Sequence, residues 1–191
     1  MNIPRSFTTT YQSKVLALEN DCYIAGAIHP NISINTSLFP NKYTALWDTG
    51  AMGSVISKRV AEDLNLKPTG RTQVIGVSGM HPCNVYIVSL LLPNNIVFQN
   101  IPVTEGEMGD TDLLIGMDII SAGDFHISTY GNKTTFSFQI PSVNPIDYVQ
   151  ESDKLKKYVK IHSEYIKHGN NLCPCKSGKT WDNCHGRYVS N

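Results

Sequence analysis

Asp48 is the residue whose type and surroundings point most directly to chemistry. It follows the apolar run Ala45-Leu46-Trp47 and opens the step Asp48-Thr49-Gly50. Two carboxylates held a few ångströms apart share one proton, because like charges that close do not both ionise. The ionised partner then activates a water molecule, and the protonated partner polarises a carbonyl group. Asp-Thr-Gly alone is equally typical of an ordinary turn. The surrounding segments must therefore distinguish a catalytic loop from such a turn.

The C-terminal segment holds a second set of chemically active residues. Cys173 and Cys175 are followed, after a polar loop that contains Ser177-Gly178, by Cys184 and His185. Three thiolates and one imidazole make a closed tetrahedral set, as structural zinc requires, with no position open for catalysis. Reduced free cysteines are the alternative interpretation. The spacing predicts one structural Zn²⁺ per chain on Cys173, Cys175, Cys184 and His185, and no cofactor for catalysis.

The elements around Asp48 have the pattern of short β-strands. Nine runs are predicted as strands: residues 15–20, 32–39, 43–47, 72–77, 84–92, 96–103, 112–116, 125–130 and 134–140. The Gly131-Asn132 step predicts a tight hairpin. Two short helices are expected, from Ser57 to about Leu64 and from about Met117 to Gly123. Many short strands with turn signals indicate an all-β sandwich or small closed barrel.

The sequence changes character after Pro141. Residues 146–168 mix apolar positions with many Lys, Glu and Asp residues, which is typical of an amphipathic helix. Packing or linking is the role we expect for it. The chain is therefore predicted to comprise a β domain over 1–143, a helical linker over 144–170 and a zinc knuckle over 171–191.

Two further segments complete a pattern around Asp48. In residues 73–80 two glycines lie near a hairpin tip between strands, which suits a mobile flap over a cleft. In residues 112–120 an apolar strand ends in Gly-x-Asp and a short helix. In this order, the segments resemble the retropepsin family, the aspartic proteases of retroviruses and their cellular relatives, over about residues 13–140.

The resemblance implies roles for individual residues. Asp48 would be catalytic, with Thr49 and Gly50 as its supporting loop. Ala51, Gly116 and Asp118 would give structural support, Asp118 as a carboxylate hydrogen-bonded near the loop; a plain helix cap or salt bridge is its alternative role. The flap would bind substrate through Ile75, Gly76, Val77, Ser78 and Gly79. The expected fold is a retropepsin-like closed β-barrel with short helices.

The tail at 172–186 closely resembles the SEC-C motif, the zinc-binding tail of a bacterial preprotein translocase ATPase and of many unrelated proteins. The resemblance implies a zinc knuckle that contacts partner proteins. A module this short has almost no core, so zinc binding would supply its folding energy.

Composition limits the remaining choices. The 191 residues carry 16 basic and 16 acidic side chains, which argues against nucleic-acid and membrane-surface partners. No apolar run approaches the ~20 residues that span a bilayer, and the first residues lack the apolar core of a secretory signal. The five cysteines are an odd number and cluster beside a histidine, which favours a reducing compartment over a disulfide framework. We therefore expect a cytoplasmic protein.

A single Asp-Thr-Gly cannot supply two carboxylates, so the active site must form across a two-fold axis, with Asp48 facing Asp48 of a second copy. The leading hypothesis is a homodimeric aspartic endopeptidase that binds an extended peptide or protein substrate, with a zinc tail that recruits partners. A non-catalytic dimeric binding module whose zinc knuckle mediates interaction is the alternative. A protease that cuts only its own linker is a third idea.

Overall fold

The computed structural model describes residues 3–76, 79–143, 145–166 and 172–188. The chain divides into two compact units, Met1–Asn144 and Pro145–Asn191. The ten strands of the first unit are β1 Arg5–Thr10, β2 Glu19–Gly26, β3 Asn41–Trp47, β4 Val55–Ser57, β5 Gly70–Gly76, β6 Gly79–Leu92, β7 Ile96–Gly106, β8 Leu113–Ile115, β9 Asp124–Ser128 and β10 Thr135–Ile140.

Six strands close into a barrel, which confirms the predicted fold class. Their order is β2-β3-β8-β4-β7-β6, and an additional pairing of β2 with β6 closes the ring. Two neighbouring pairs, β3 with β8 and β4 with β7, run parallel. The remaining strand, β5, pairs only with β6 and extends outside the ring as one arm of a hairpin.

A second sheet has the order β1-β10-β9, and both of its ladders are antiparallel. The turn at Tyr130–Asn132 joins β9 to β10, and Gly131 and Asn132 adopt φ of 65° and 62° there. This left-handed backbone explains the Gly-Asn pair of the predicted hairpin. We did not expect β1, because RSFTTT has little apolar content and only Phe7 is buried.

The core follows the alternation of the strands. Phe136 and Phe138 are fully buried on one face of β10, and Phe7 of β1 packs against both rings. Trp47, at the end of β3, joins this aromatic cluster and stacks on Phe125 of β9 with ring centroids 5.3 Å apart. The cluster therefore anchors the residue that immediately precedes Asp48.

Three α-helices are present among the described residues. The first, α1 (Lys58–Asp63), is capped by the Ser57 hydroxyl, which accepts from the Val60 N–H. The second, α2, spans Met117–Ile120 directly after β8. The third, α3 (Tyr148–Ile166), lies in the second unit. Among these residues, none of the helices combines the length and apolarity needed to cross a membrane.

Two strand predictions were wrong in detail. Residues 32–39 form a loop with a 3-10 turn at Thr36–Leu38, because the Asn35 side chain accepts from the Ser37 N–H and stabilises the turn. The run at 15–20 is mostly loop, since β2 begins only at Glu19.

Candidate active site and candidate metal centre

Asp48 lies just beyond the end of β3, half-buried, at the start of a tight loop. Its N–H donates to the carbonyl of Ile115 in β8 at 2.9 Å, so the parallel neighbour fixes the loop entrance. One carboxylate oxygen of Asp48 accepts from the Gly50 N–H at 2.8 Å. A Cβ on residue 50 would lie 3.1 Å from that same oxygen, so the contact favours glycine here.

The far side of the loop is held by α2. Met117 N–H donates to the Ala51 carbonyl at 2.8 Å, and Asp118 N–H donates to the Met52 carbonyl at 3.1 Å. Gly116 allows this approach, because a Cβ there would lie 2.7 Å from the Gly53 carbonyl group and 3.0 Å from the Ala51 oxygen. The backbone of the loop is therefore clamped between β8 and α2.

Ser54 is a buried polar residue to which the sequence analysis gave no role. Its N–H and hydroxyl donate to the two carboxylate oxygens of Asp118, and its hydroxyl accepts from the Gly116 N–H at 3.1 Å. Only 2% of Ser54 is exposed, so these hydrogen bonds satisfy polar groups that have little access to water. No local pattern signals the contact, since the partners lie more than sixty positions apart.

Asp112 is a second buried polar residue to which the sequence analysis gave no role. The carboxylate is buried, accepts from the Thr44 N–H at 3.0 Å and pairs with the Arg59 guanidinium. Its carbonyl accepts from Ser57 N–H at 2.9 Å, which links β8 to the start of α1. Asp112 thus ties β3, β8 and the start of α1 together at the beginning of β8, whereas Asp48 lies beside the last residue of that strand, Ile115.

A groove of about 420 Å³ adjoins Asp48. Its walls are mainly apolar and come from residues 15–18, residues 46–49, Phe125, Ile127, Thr129 and Thr134. Leu16 is fully exposed, and Ile127 on β9 is exposed over 46% of its surface. Within its sheet β9 pairs only with β10, so one edge of β9 has no strand neighbour in the described chain.

The predicted flap lies at the tip of the β5–β6 hairpin. Ile75 pairs with Met80, and Gly76 pairs with Gly79, whose φ is 111°. The side chains of Ile75 and Met80 are strongly exposed at this tip. Val77 and Ser78 lie outside the described residues.

The four predicted metal ligands converge in the second unit. The ligand atoms of Cys173, Cys175, Cys184 and His185 all lie within 4.8 Å of one another. The His185 Nδ1 lies 3.1 Å from the Cys173 Sγ and 3.3 Å from the Cys184 Sγ, and the Cys175 and Cys184 sulfurs are 3.6 Å apart. Such separations suit a tetrahedral ion with bonds of about 2.0–2.3 Å to N and S. The donor set and spacing therefore fit Zn²⁺.

The knuckle supports this cluster with a buried aromatic residue. Trp181 carbonyl accepts from the Cys184 and Gly186 N–H groups at 2.9 and 2.8 Å. Gly186 packs so closely on the indole that a Cβ would lie 2.2 Å from it. Hydrogen bonding from Ser177 lowers the pKa of the Cys175 thiol to about 6, which favours the thiolate that metals bind.

Two family models match segments of the chain that contain these residues. Residues 33–122, which include the Asp48 loop, the hairpin and α2, match the family model described as "gag-polyprotein putative aspartyl protease". The chain carries a retropepsin-like domain. Residues 170–187 match the model of the SEC-C motif, so that domain is followed by a C-terminal SEC-C motif. No curated protein matches the sequence.

The retropepsin-like domain is also similar to solved structures of low sequence identity. A retropepsin-like aspartic protease from Rickettsia conorii is 14% identical, with a TM-score of 0.46, over 72% of this chain and 96% of that one. The retroviral protease-like domain of Ddi1 from Leishmania major is 22% identical, with a TM-score of 0.43, over 70% and 99%. EIAV protease complexed with the inhibitor HBY-793 is 16% identical, with a TM-score of 0.40, over 55% and 86%.

Proposed function

We propose that this protein is a homodimeric aspartic endopeptidase, with Asp48 of each of two copies forming the catalytic pair. The observation that carries the proposal is the position of Asp48. It is half-buried at a barrel end, on a loop clamped by β8 and α2, in the region that matches an aspartyl protease family. Thr49 and Gly50 belong to that loop, and Ala51, Gly116 and Asp118 hold it in place.

The reaction follows from a pair of carboxylates that hold one proton between them. The ionised Asp48 removes a proton from water as the water oxygen attacks the peptide carbonyl carbon. The protonated Asp48 gives its proton to the carbonyl oxygen, which leaves a neutral diol. Collapse of the diol breaks the C–N bond as the amine nitrogen receives a proton, and one shared proton remains on the pair. Activity should therefore have a bell-shaped pH profile.

The surface around Asp48 supports a second copy as the partner. A two-fold axis that brings two Asp48 carboxylates together must also bring together the groove beside them. That groove is mostly apolar, Leu16 and Ile127 are exposed there, and the free edge of β9 lies next to it. Burial of such a surface is the usual driving force of a homodimer.

The substrate we propose is an extended peptide segment of a protein. The β5–β6 hairpin ends in two glycines and carries exposed Ile75 and Met80. A hairpin of this kind, from Ile75 to Gly79, can close over a peptide and bind its backbone with strand-like hydrogen bonds.

The SEC-C motif is proposed to hold one structural Zn²⁺ on Cys173, Cys175, Cys184 and His185. The ion supplies a cross-link between the two ends of the knuckle and thereby folding energy. We propose that the loaded knuckle recruits a substrate or partner protein. A site that depends on reduced thiols suits a reducing compartment, so we place the protein in the cytoplasm.

The deciding experiment is cleavage of a mixed peptide library by purified, zinc-loaded protein between about pH 4 and pH 7, with product masses read directly. Asp48→Asn should keep the fold and the dimer but lose all cleavage. Asp110→Asn, which removes an exposed carboxylate elsewhere in the domain, should cleave as the wild type does. Products that persist in Asp48→Asn would overturn the proposal. A dimer that cleaves no peptide would instead indicate a non-catalytic binding module.

A further inference from the structure

The aromatic ring of Tyr158 connects α3 with the metal-ligand cluster. Its centroid lies 4.4 Å from that of the His185 imidazole, at an interplanar angle of 38°. On its own helix, Tyr158 also stacks on His162, with centroids 4.1 Å apart. The His162 ring is fixed in turn by a 2.8 Å contact between its Nδ1 and the Tyr158 carbonyl. One helical turn therefore presents a rigid aromatic surface to a metal ligand.

The orientation of the His185 ring determines whether it can bind an ion. Its Nδ1 lies within 3.3 Å of two of the cluster sulfurs, so Nδ1 is the nitrogen that faces the site. An imidazole binds a metal along the lone pair in its ring plane, and groups outside the first shell set that orientation. Tyr158 contacts the ring without occupying a ligand position, which is the contact such a role requires.

The Tyr158 hydroxyl is an unusual feature of this contact. The oxygen is buried and makes no regular hydrogen bond within the described parts of the chain. A buried hydroxyl without a partner costs about 1–3 kcal/mol, so such groups are rare in folded proteins. Burial raises the pKa of this hydroxyl, and the charges of Cys173, Cys175 and Cys184 raise it further. Geometry places the same groups together: the Tyr158 ring lies 4.4 Å from the His185 ring, whose Nδ1 is 3.1 Å from the Cys173 sulfur.

Metal binding changes what these sulfurs offer. A thiol is a weak acceptor, whereas a thiolate accepts a charge-assisted hydrogen bond from a hydroxyl. Cys173 is the most buried of the three cysteines, with 4% of its surface exposed, and its thiolate has the least access to water. Of the three thiolates, that of Cys173 would therefore be stabilised most by a hydroxyl donor.

We propose that Tyr158 is a positioning residue of the metal centre. Its ring orients the His185 imidazole, and its hydroxyl donates a hydrogen bond to the Cys173 thiolate when the ion is bound. The inference rests on the proposed metal binding by the SEC-C motif and extends it to a residue outside the motif. It follows that α3 is more than a linker. The helix belongs to the metal module, and the stability of that module depends on the ion.

The test measures Zn²⁺ affinity of the full-length protein by competition with a chromogenic chelator. Tyr158→Ala removes ring and hydroxyl and should weaken Zn²⁺ binding about 10- to 100-fold. Tyr158→Phe keeps the ring and should weaken it about 3- to 10-fold. Lys157→Ala, at the exposed neighbouring position of α3, is the matched control and should bind as the wild type does.

A spectroscopic measurement separates positioning from general stability. With Co²⁺ in the site, the sulfur-to-metal charge-transfer band reports the donor strength of the thiolates. Removal of a hydrogen bond from one thiolate should move that band to longer wavelength in Tyr158→Phe, and leave it unchanged in Lys157→Ala. Hydrogen exchange over 148–166 should slow when Zn²⁺ is added to the wild type, and less so in Tyr158→Ala.

The outcomes separate this inference from the proposed function. A wild-type protein that binds no Zn²⁺ would overturn the metal site itself and, with it, the role of Tyr158. If Tyr158→Ala and Tyr158→Phe bind Zn²⁺ as tightly as the wild type does, only the role of Tyr158 is overturned. Wild-type affinity and an unmoved Co²⁺ band in Tyr158→Phe would overturn the hydrogen bond to Cys173.

Discussion

Both carboxylate oxygens of Asp118 accept hydrogen bonds from one residue, Ser54, which lies 64 positions earlier in the chain. The Ser54 backbone N–H donates to Oδ2 at 3.0 Å, and its hydroxyl donates to Oδ1 at 2.8 Å. This pairing joins the end of the Asp48 loop to the first turn of α2. The geometry of the proposed catalytic loop therefore depends on two side chains that need not touch the substrate.

Ser54→Ala should destabilise the domain by about 1–3 kcal/mol, because it removes the hydroxyl that donates to Asp118 and leaves the buried Gly116 N–H without its acceptor. Urea unfolding measures this loss, and Ser13→Ala, at an exposed site, should stay within about 0.5 kcal/mol of the wild type. A double-mutant cycle with Asp118→Asn should give a coupling energy of about 1 kcal/mol or more. Additive single effects would contradict a direct interaction.

Gly116→Ala should abolish cleavage or folding, while Gly53→Ala should be tolerated. A Cβ at 116 would lie 2.7 Å from the backbone of Gly53, whereas a Cβ at 53 meets nothing within 4 Å. The two glycines thus lie close together, but only position 53 has room for a side chain. Peptide cleavage and thermal unfolding of both variants check this, and equal sensitivity of the two positions would show that the clamp is not steric.

Ile127→Lys should convert the proposed dimer to monomer and remove cleavage without unfolding the domain. Two lysines brought together near a two-fold axis repel each other, and like charges juxtaposed in an interface cost several kcal/mol. Ile32→Lys is the matched control, since Ile32 and Ile127 are exposed over 47% and 46% of their surfaces. Sedimentation velocity gives the oligomeric state. A dimeric, active Ile127→Lys would exclude the groove beside Asp48 from the interface.

Cys22 should titrate only at strongly alkaline pH. Burial, followed by the charges of Asp112 and Asp21, raises the pKa of its thiol from 9.0 to about 12. The folded protein therefore holds this proton more tightly than the unfolded chain does, and the resulting stability is complete below pH 9 and falls between pH 9 and about 12. Over that range, the free energy of unfolding of the wild type should fall with rising pH. The fall should exceed that of Cys22→Ala by about 1.4 kcal/mol per pH unit.

Identical slopes for the two proteins would show that Cys22 is accessible to water. Alkylation at neutral pH gives an independent check, because the neutral buried thiol should not react. Half-buried Cys83 provides the internal comparison within the same unit and should be labelled before Cys22.

Much of the fold could be predicted because its strands, turns and helix starts are local patterns. Alternation in residues 134–140, the Gly131-Asn132 turn and the Ser57 cap each depend on neighbouring residues. Residues 32–39 have the apolar content of a strand, but the side chain of Asn35 stabilises a turn instead. The first strand was missed for the opposite reason, since its stability comes from pairing with β10 at the far end of the domain.

The chemical residues were easier to find than the groups that hold them. Asp48 and the four metal ligands stand in compact motifs that the chemistry itself requires. Ser54, Asp112 and Tyr158 act through contacts that only the fold creates, and their types carry no signal in sequence. Their roles follow from burial and from partners distant in the chain.

The pairing of β1 with β10 has a consequence for how this domain could be embedded in larger proteins. Both terminal strands belong to the same chain, and β10 lies in the middle of its sheet. The sheet is therefore complete without any free chain end. A polypeptide fused before β1 or after β10 would therefore leave the pairing of these two strands possible.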